Sequence, residues 1–335
     1  MVAPMDDPDV SIQSDWEATA ARRARALVSG ERLTIAGHSF LVTAEGIGHA
    51  RELARLVGGF RPGALPHAAT FSLVVEAPLC PPRPADETYD GIELWRDGDR
   101  LVLRSTTGVC GWANRTNIVI GGSNGIRESL RHLFLPLAAH LLAHHDVFVI
   151  HGGAADAGNG ALLFLGPSGA GKSTLAGLSL AKGWDVLSDD IVALTTHDDG
   201  LWVIGVPRPP AVSVDAAPKD AAGSEELDPR GRRHLDPGVL DTSAHRVIGT
   251  VLPFRATDGE DRCDRTPAPE LLHHIIGSFT SATTRGLLAR FLPVAAMLAR
   301  CPGYALPLQN TGSDRLTAAA DHLVAVESQL RLALR

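Results

Sequence analysis

A chain of 335 residues is long enough for about two domains with sizeable cores, and 44% apolar against 21% charged residues is an ordinary globular composition. A formal net charge of −7 argues against a generic binder of nucleic acid or anionic membrane. The first residues are acidic with no apolar signal stretch, and no apolar run reaches the roughly 20 residues a bilayer span needs, so a soluble cytoplasmic protein is expected. The four cysteines Cys80, Cys110, Cys263 and Cys301 stand far apart without a C-x-x-C pair, which reads as reduced thiols.

Residues 1–13 carry Pro and Asp and read as loose chain. Ser14-Asp15-Trp16-Glu17 is a capping box, predicting a helix to about residue 28. Short apolar runs bounded by turns then predict strands over 33–42, 71–75, 92–95, 101–104 and 117–120, with Arg96-Asp97-Gly98-Asp99 as a hairpin turn. An amphipathic helix is expected over 50–57 and an exposed proline-rich loop over 78–84, while 108–117 reads as a turn. Residues 1–125 therefore read as a β-rich α+β domain suited to substrate or partner recognition, closed by the glycine-rich stretch 121–125; residues 126–335 form the second domain. That domain opens with a helix over 129–145, with Leu130, Leu133, Phe134, Leu137 and Leu141 on one stripe and either a bend or a break near its first turns at Pro136. His140, His144 and His145 lack a companion carboxylate motif and read as a solvated helix end rather than a metal site.

A strand over 147–150 then ends at His151, either a structural histidine or a partner for a nearby carboxylate. A buried strand over 161–165 runs into Gly166-Pro167-Ser168-Gly169-Ala170-Gly171-Lys172-Ser173-Thr174, matching G-x-x-x-x-G-K-[ST] at every fixed position. The glycines let successive N–H groups turn inward as an anion cradle, Lys172 adds a cation, and the Ser173 hydroxyl is a hard ligand suited to Mg2+. A helix over 173–181 directs its N-terminus at the same place. A strand over 184–188 delivers Asp189 and Asp190 at the crevice end of the sheet, and phosphoryl transfer needs one carboxylate for the metal and one for the attacking hydroxyl's proton. Strands over 191–195 and 201–206 flank a turn at 197–200, and Arg208 stands where it either stabilises a phosphate or makes a surface ion pair. Residues 215–240 read as a long polar loop whose Arg230, Arg232, Arg233 and His234 form a basic patch, gripping phosphates or an acidic peptide or simply solvated. A strand over 246–254 is placed at the edge of the nucleotide core, followed by helices over 271–280, 285–299 (interrupted at Pro293) and 313–334.

Taken together, His151-Gly152, the segment GALLFLGPSGAGKST and the segment LSDDIVAL resemble the catalytic domain of HPr kinase/phosphorylase and its HPr-kinase-like relatives, over about residues 145–215. This P-loop group is also similar to phosphoenolpyruvate carboxykinase in its nucleotide site. The resemblance implies an α/β P-loop kinase domain of that type, with C-terminal helices behind it and the β-rich domain before it. It implies ATP and Mg2+, Asp189 as the base, His151 as its neighbour, and Asp190 with Ser173 around the metal. The group's Glu-x-Arg-Gly segment is missing, replaced by Ile204-Gly205-Val206-Pro207-Arg208, which speaks against HPr as substrate and against the reverse phosphorylase reaction. Kinases that modify peptides in biosynthetic clusters, such as the lasso-peptide tailoring kinases, look closer. The expected activity is transfer of the γ-phosphate of ATP to a hydroxyl, of Ser or Thr on a peptide or protein or of a small molecule. Relatives form hexamers, so a homo-oligomer is implied. The competing reading is a non-catalytic nucleotide-sensing module whose N-terminal part binds a partner.

Overall fold

The computed structural model describes residues 28–36, 38–44, 70–75, 80–121 except 82, 90 and 107, 133–206 except 198 and 199, 211–213, 223–227, 232–235, 240–256 except 242, 262–279, 287–308 and 313–333. The helices expected over 14–28 and 50–57 and the glycine-rich boundary after 121 fall, wholly or nearly so, outside these residues. Eight strands make the first sheet: β1 (Val28–Ile35), β2 (His38–Ala44), β3 (Thr70–Val75), β4 (Glu87–Tyr89), β5 (Ile92–Asp97), β6 (Arg100–Ser105), β7 (Cys110–Ala113) and β8 (Asn117–Gly121). Their order is β1-β2-β3-β8-β7-β6-β5-β4, with β2–β3 and β3–β8 parallel and the other pairs antiparallel. The single strand expected over 33–42 is a hairpin, turned at Ala36 with φ 48. The turn expected over 108–117 contains β7, buried along its whole length, and Gly111 leaves room there for the Leu137 side chain of the helix that follows, whose Cδ1 would stand 2.8 Å from a Cβ.

Period-two alternation gives this sheet two apolar faces. Leu94, Leu101, Leu103, Ile118 and Ile120 face one way, into a core completed by the helix that follows. Trp95, Val102, Cys110, Trp112 and Val119 face the other way, against Cys80 and Ala85. On that second face Cys80 and Cys110 are disulfide-bonded, their Cα atoms 6.3 Å apart, which corrects the expectation of four reduced thiols; Cys263 and Cys301 are free. Packing of the chain ahead of β4 on the sheet face that carries Cys110, invisible in linear spacing, brings the two sulfurs together.

Helix α1 (Leu135–Ala143) packs on β7 and β8, and Pro136 sits in its first turn, where no intrahelical N–H is lost, so it marks the start of the α-helix, in keeping with the expected break. Next come β9 (Phe148–His151), β10 (Gly153–Asp156), β11 (Ala161–Phe164), helix α2 (Lys172–Ala181), β12 (Asp185–Ser188), β13 (Ile191–His197) and β14 (Gly200–Gly205). Residues 211–213 form β15 (Ala211–Ser213), and the stretch 215–240, expected as a long loop, holds β16 (Gly223–Leu227) and β17 (Arg232–Leu235), the three making a small sheet ordered β15-β17-β16. The chain continues through β18 (Ala244–Arg255), β19 (Asp264–Thr266), α3 (Ala268–Ser278), α4 (Leu288–Arg300), β20 (Gly303–Leu308) and α5 (Ser313–Ala333). Pro293 does not interrupt α4; it lies on the exposed side, where water can take the carbonyl it leaves unpaired.

The second large sheet runs β12-β10-β11-β18-β14-β13-β9, with β20 beside β18 and β19 beside β20. Strand β18, expected at the edge, is its spine. Its first residues pair antiparallel with β14, and its remainder pairs parallel with both β11 and β20. On β11, Leu163 faces a core shared with α3 and α4, while Leu162 and Phe164 face a core shared with α2 and α5. Both faces are covered, which is why this strand reads as an unbroken apolar run. The sheet curls so far that its two ends meet: β9 stands at one end of the order and β10 next to the other, yet only Gly152 separates them in the chain. Among the described residues, no helix is long and apolar enough to cross a membrane.

The histidines of α1 are not a solvated helix end. His140 is buried, its Nε2 donates to the Asp99 carbonyl at 2.9 Å, and His144 Nε2 lies 3.3 Å away, which ties α1 to the β5–β6 turn. Burial pushes the imidazoles of His140 and His38 down to about 4, with the neighbouring His145 adding to the effect on His38. Both bind protons more weakly folded than unfolded, so their contribution to stability is complete above pH ~6.5 and is lost as pH falls toward the folded values. Thermal unfolding should therefore show a steep loss of Tm between about pH 6.5 and 4, on the order of 3 kcal/mol per imidazole. His140→Gln should flatten that loss; an unchanged acid profile would show that this residue does not set it.

Candidate functional site

Strand β11 ends at Phe164, residues 166–171 turn, and α2 begins at Lys172. Gly166, Gly169 and Gly171 have φ of 137, 82 and 116, a region L side chains avoid, so the turn is written into the backbone. At Gly171 space also decides: a Cβ there would stand 2.0 Å from Leu308 Cδ1. Pro167, Ser168 and Gly169 are exposed at the crest, and Ser173 and Thr174 occupy the first turn of α2, which carries no acidic residue to offset its positive end. Lys172 is buried and folds back, Nζ donating to the carbonyls of Gly166 at 2.9 Å and Pro167 at 3.0 Å. Burial lowers its pKa; Asp190 and Asp189, close enough to be felt, pull the other way without winning. The loop, the ammonium and both carboxylates thus share one electrostatic site.

The carboxylates arrive where the chain crosses between the two halves of the curled sheet. Strand β12 ends at Ser188 beside Ala154 of β10, Asp189 and Asp190 make the corner, and β13 starts at Ile191 opposite His151. The Ser188 hydroxyl accepts from the N–H groups of Asp190 and Ile191 at 3.3 and 3.1 Å, and the Gly152 N–H donates to the Asp190 carbonyl at 2.9 Å. His151 Nδ1 lies 3.1 Å from Asp190 Oδ1, both side chains 35% exposed. The histidine expected beside Asp189 therefore contacts Asp190, because strand register puts it opposite Ile191, next to the second residue of the corner. Asp189 is 4% exposed and its Oδ2 accepts from the Ala211 N–H at 3.1 Å. That contact with β15, and the Ser188 brace, are parts of the site the sequence did not announce. Arg208 and Arg230 lie outside the described residues; Arg232, Arg233 and His234 are half-buried on β17 rather than on a loop.

Ser173, Asp189 and Asp190 offer only hard oxygens, the donor type Mg2+ takes, alongside phosphate and water, when one or two carboxylates hold it. Among the described residues no group of three or more His, Cys, Asp or Glu side chains could hold a metal by itself.

A second polar cluster lies at the far end of β10. Asp156 Oδ1 accepts from the N–H groups of Gly158, Asn159 and Gly160 at 2.6, 3.1 and 3.0 Å, while Oδ2 meets His245 Nδ1 at 2.5 Å. His245 Nε2 is 2.9 Å from Asp241 Oδ2 and 2.8 Å from Ser243 Oγ. This has the outline of a Ser-His-Asp relay but not its chemistry. The hydrogen bond that His245 donates to Asp156 raises the imidazole pKa against burial, and the Ser243 hydroxyl donates to Asp241 Oδ1 at 2.7 Å and not to the imidazole. The cluster clamps the β10–β11 turn onto β18.

No protein-family model and no curated protein sequence matches this chain. Among solved structures, the chain is similar to the HPr(Ser) kinase/phosphatase from Coxiella burnetii, at 15% identity and a TM-score of 0.28, with 53% of this chain and 98% of that chain covered. A TM-score of that size marks a weak likeness.

The two loop glycines separate strain from contact. Gly169→Ala, which meets nothing within 4 Å, should cost only about 1–2 kcal/mol for its positive φ. Gly171→Ala, which also collides with Leu308, should cost clearly more, at least about 3 kcal/mol, in denaturant titrations. Equal costs would mean that Leu308 yields freely.

Proposed function

We propose that this protein is an ATP-dependent phosphotransferase that moves the γ-phosphate of Mg-ATP to a hydroxyl, of Ser or Thr on a peptide or protein. The observation that carries the reading is the shared site: a phosphate-cradling loop, its buried lysine, and two carboxylates close enough to act on that lysine. In this reading the loop N–H groups and the positive end of α2 hold the phosphates, and Lys172 leaves the loop carbonyls for the β/γ oxygens. Ser173 and Asp190 would hold Mg2+, which neutralises charge on the phosphates when bound. Asp189, oriented by the Ala211 N–H, takes the proton of the acceptor hydroxyl as its oxygen bonds to the γ-phosphorus. The bond from that phosphorus to the β–γ bridging oxygen breaks, and ADP departs. His151 orients Asp190 from the side. Because Asp190 and His151 are each 35% exposed, the corner is open on the side from which an acceptor would arrive.

Asp189→Asn keeps the shape and removes the base. Phosphate transfer to a Ser/Thr acceptor, followed by mass spectrometry, should fall at least about 100-fold while Mg-ATP affinity stays within a few-fold. Undiminished transfer would remove Asp189 from the role, and nucleotide binding with no transfer to any acceptor by the unaltered chain would leave a nucleotide-sensing module instead. Lys172→Ala should weaken Mg-ATP binding at least about 10-fold, about 1.4 kcal/mol, in calorimetric titration; retained affinity would contradict the cradle.

A further inference from the structure

Strand β3 ends at Val75 and β4 begins at Glu87, yet β8, β7, β6 and β5 lie between those two strands in the first sheet. At about 4.8 Å per strand the chain must cross roughly 24 Å of one face. The face crossed carries Val119, Trp112, Cys110, Val102 and Trp95, and Cys80 and Ala85 pack against it from the crossing chain. That chain is tied down unequally. Toward its end the ties run to β5: the Trp95 Nε1–H donates to the Arg83 carbonyl at 2.9 Å, the Asp86 N–H to the Leu94 carbonyl at 2.8 Å, and the Arg96 N–H to Asp86 Oδ2 at 2.6 Å. Two strands further in, the tie to β7 is covalent, from Cys80 to Cys110. The loop closed by that bond contains all of β4, β5 and β6. Each of them is already paired antiparallel to the next strand, so the sheet holds together without the bond. The two sulfurs also differ in access, since Cys110 is 2% exposed and Cys80 only half-buried.

We infer that Cys80–Cys110 is a redox-operated clasp: a dithiol reductant opens it within the folded protein, and Cys80 then leaves β7 while residues 83–86 stay on β5. A thiolate of the reductant attacks Cys80 Sγ, the more accessible end. The S–S electron pair leaves with Cys110 Sγ, which takes a proton and stays in its apolar surroundings as a neutral thiol. The reductant's second thiolate attacks the reductant sulfur of the mixed disulfide and releases Cys80. Two electrons have passed, the dithiol has become a disulfide, and the protein holds two thiols. Opening changes the covered surface selectively. Trp112 stands two residues from Cys110 on the same face of β7 and keeps Arg100, 4.7 Å over its ring. Trp95 keeps both the Arg83 hydrogen bond and Arg104, 5.2 Å over its ring, so Trp112 is uncovered more than Trp95. The clasp lies on the face turned away from the carboxylate corner, and the inference stands apart from the phosphotransferase reading.

The test treats the full chain with dithiothreitol in the absence of denaturant, then alkylates it and maps the modified cysteines by mass spectrometry. Besides the free Cys263 and Cys301, Cys80 and then Cys110 should become modified. Over the same interval tryptophan emission should move to longer wavelength, and quenching by acrylamide should rise at least about 1.5-fold. Trp112→Phe should remove most of that change and Trp95→Phe little of it. Oxidised glutathione should restore the starting spectrum. Cys80→Ser should show the emission of the reduced protein with no reductant present; should that variant not fold, the reduced and reoxidised unaltered chain carries the comparison. A bond that opens only in denaturant, or one that opens with tryptophan emission unchanged, overturns the clasp and leaves a static cross-link. Free thiols at Cys80 and Cys110 in protein purified in air overturn the bond and the clasp with it.

Discussion

At Gly205 a Cβ would stand 2.0 Å from the Leu187 carbonyl oxygen, and at Gly153 it would stand 3.1 Å from that of Ser188. Backbones pass one another there with no room for a side chain, and everything at the site follows from that close approach. A sheet whose ends meet must send the chain across its own corner, and here it does so twice in the same place, at Gly152 and at Asp189–Asp190. Only glycine allows the strands to lie so near, at a cost of roughly 0.5–1 kcal/mol in chain entropy for each glycine held in a strand. What the molecule gains is position. His151 and Asp190 meet because the backbone beneath them is fixed by strand register, Ile191 against His151, and not because the side chains seek each other.

The loop is held by the same spine from its other end. The Leu165 N–H donates to the Val251 carbonyl at 3.0 Å, which anchors the start of the turn to β18. Leu308 of β20, itself paired to β18, fills the space beneath Gly171 at the turn's end. Leu308 belongs to the core formed by α2 and α5, so packing of the C-terminal helix and geometry of the loop are parts of one arrangement. Inside it, Lys172 shows which force prevails: desolvation outweighs the attraction of two nearby carboxylates, and the ammonium is kept by two loop carbonyls.

Local signals in the sequence are legible where the chemistry is local. The strand, glycine turn and helix around 161–181 obey short-range rules of φ and capping, and the Arg96–Asp99 turn does likewise, with Gly98 at φ 59 between Asp97 and Arg100. What escaped was set by distant partners. Strand β10, with two glycines at its approach and small residues within, has little β-propensity of its own and exists because β11 and β12 flank it. Strand β7 hides in a glycine-rich stretch for the same reason. The Cys80–Cys110 bond, the burial of His140 and the grip of Ala211 on Asp189 each join residues far apart in the chain, and no spacing rule reports them. The central place of β18 escaped too, since a run of apolar residues does not say how many partners it has.

The first sheet stands directly behind the corner. Its inner face, α1, and the strands β9 and β13 that carry His151 and follow Asp190 share a single core, in which Leu101 and Ile120 lie with Leu137, Val149, Ile191 and Ala193. Leu133, Leu137 and Leu141 are each fully buried within it. Uncovering those three by taking the sheet away would cost roughly 1.5–3 kcal/mol apiece, together as much as the whole net stability of an ordinary domain. The first sheet is thus part of what holds His151 and Asp190 in register. The two faces of this sheet differ in what they support: the face with Trp95, Trp112 and the disulfide is turned away from the corner, and the face with Leu101 and Ile120 is turned toward it, as part of its scaffold.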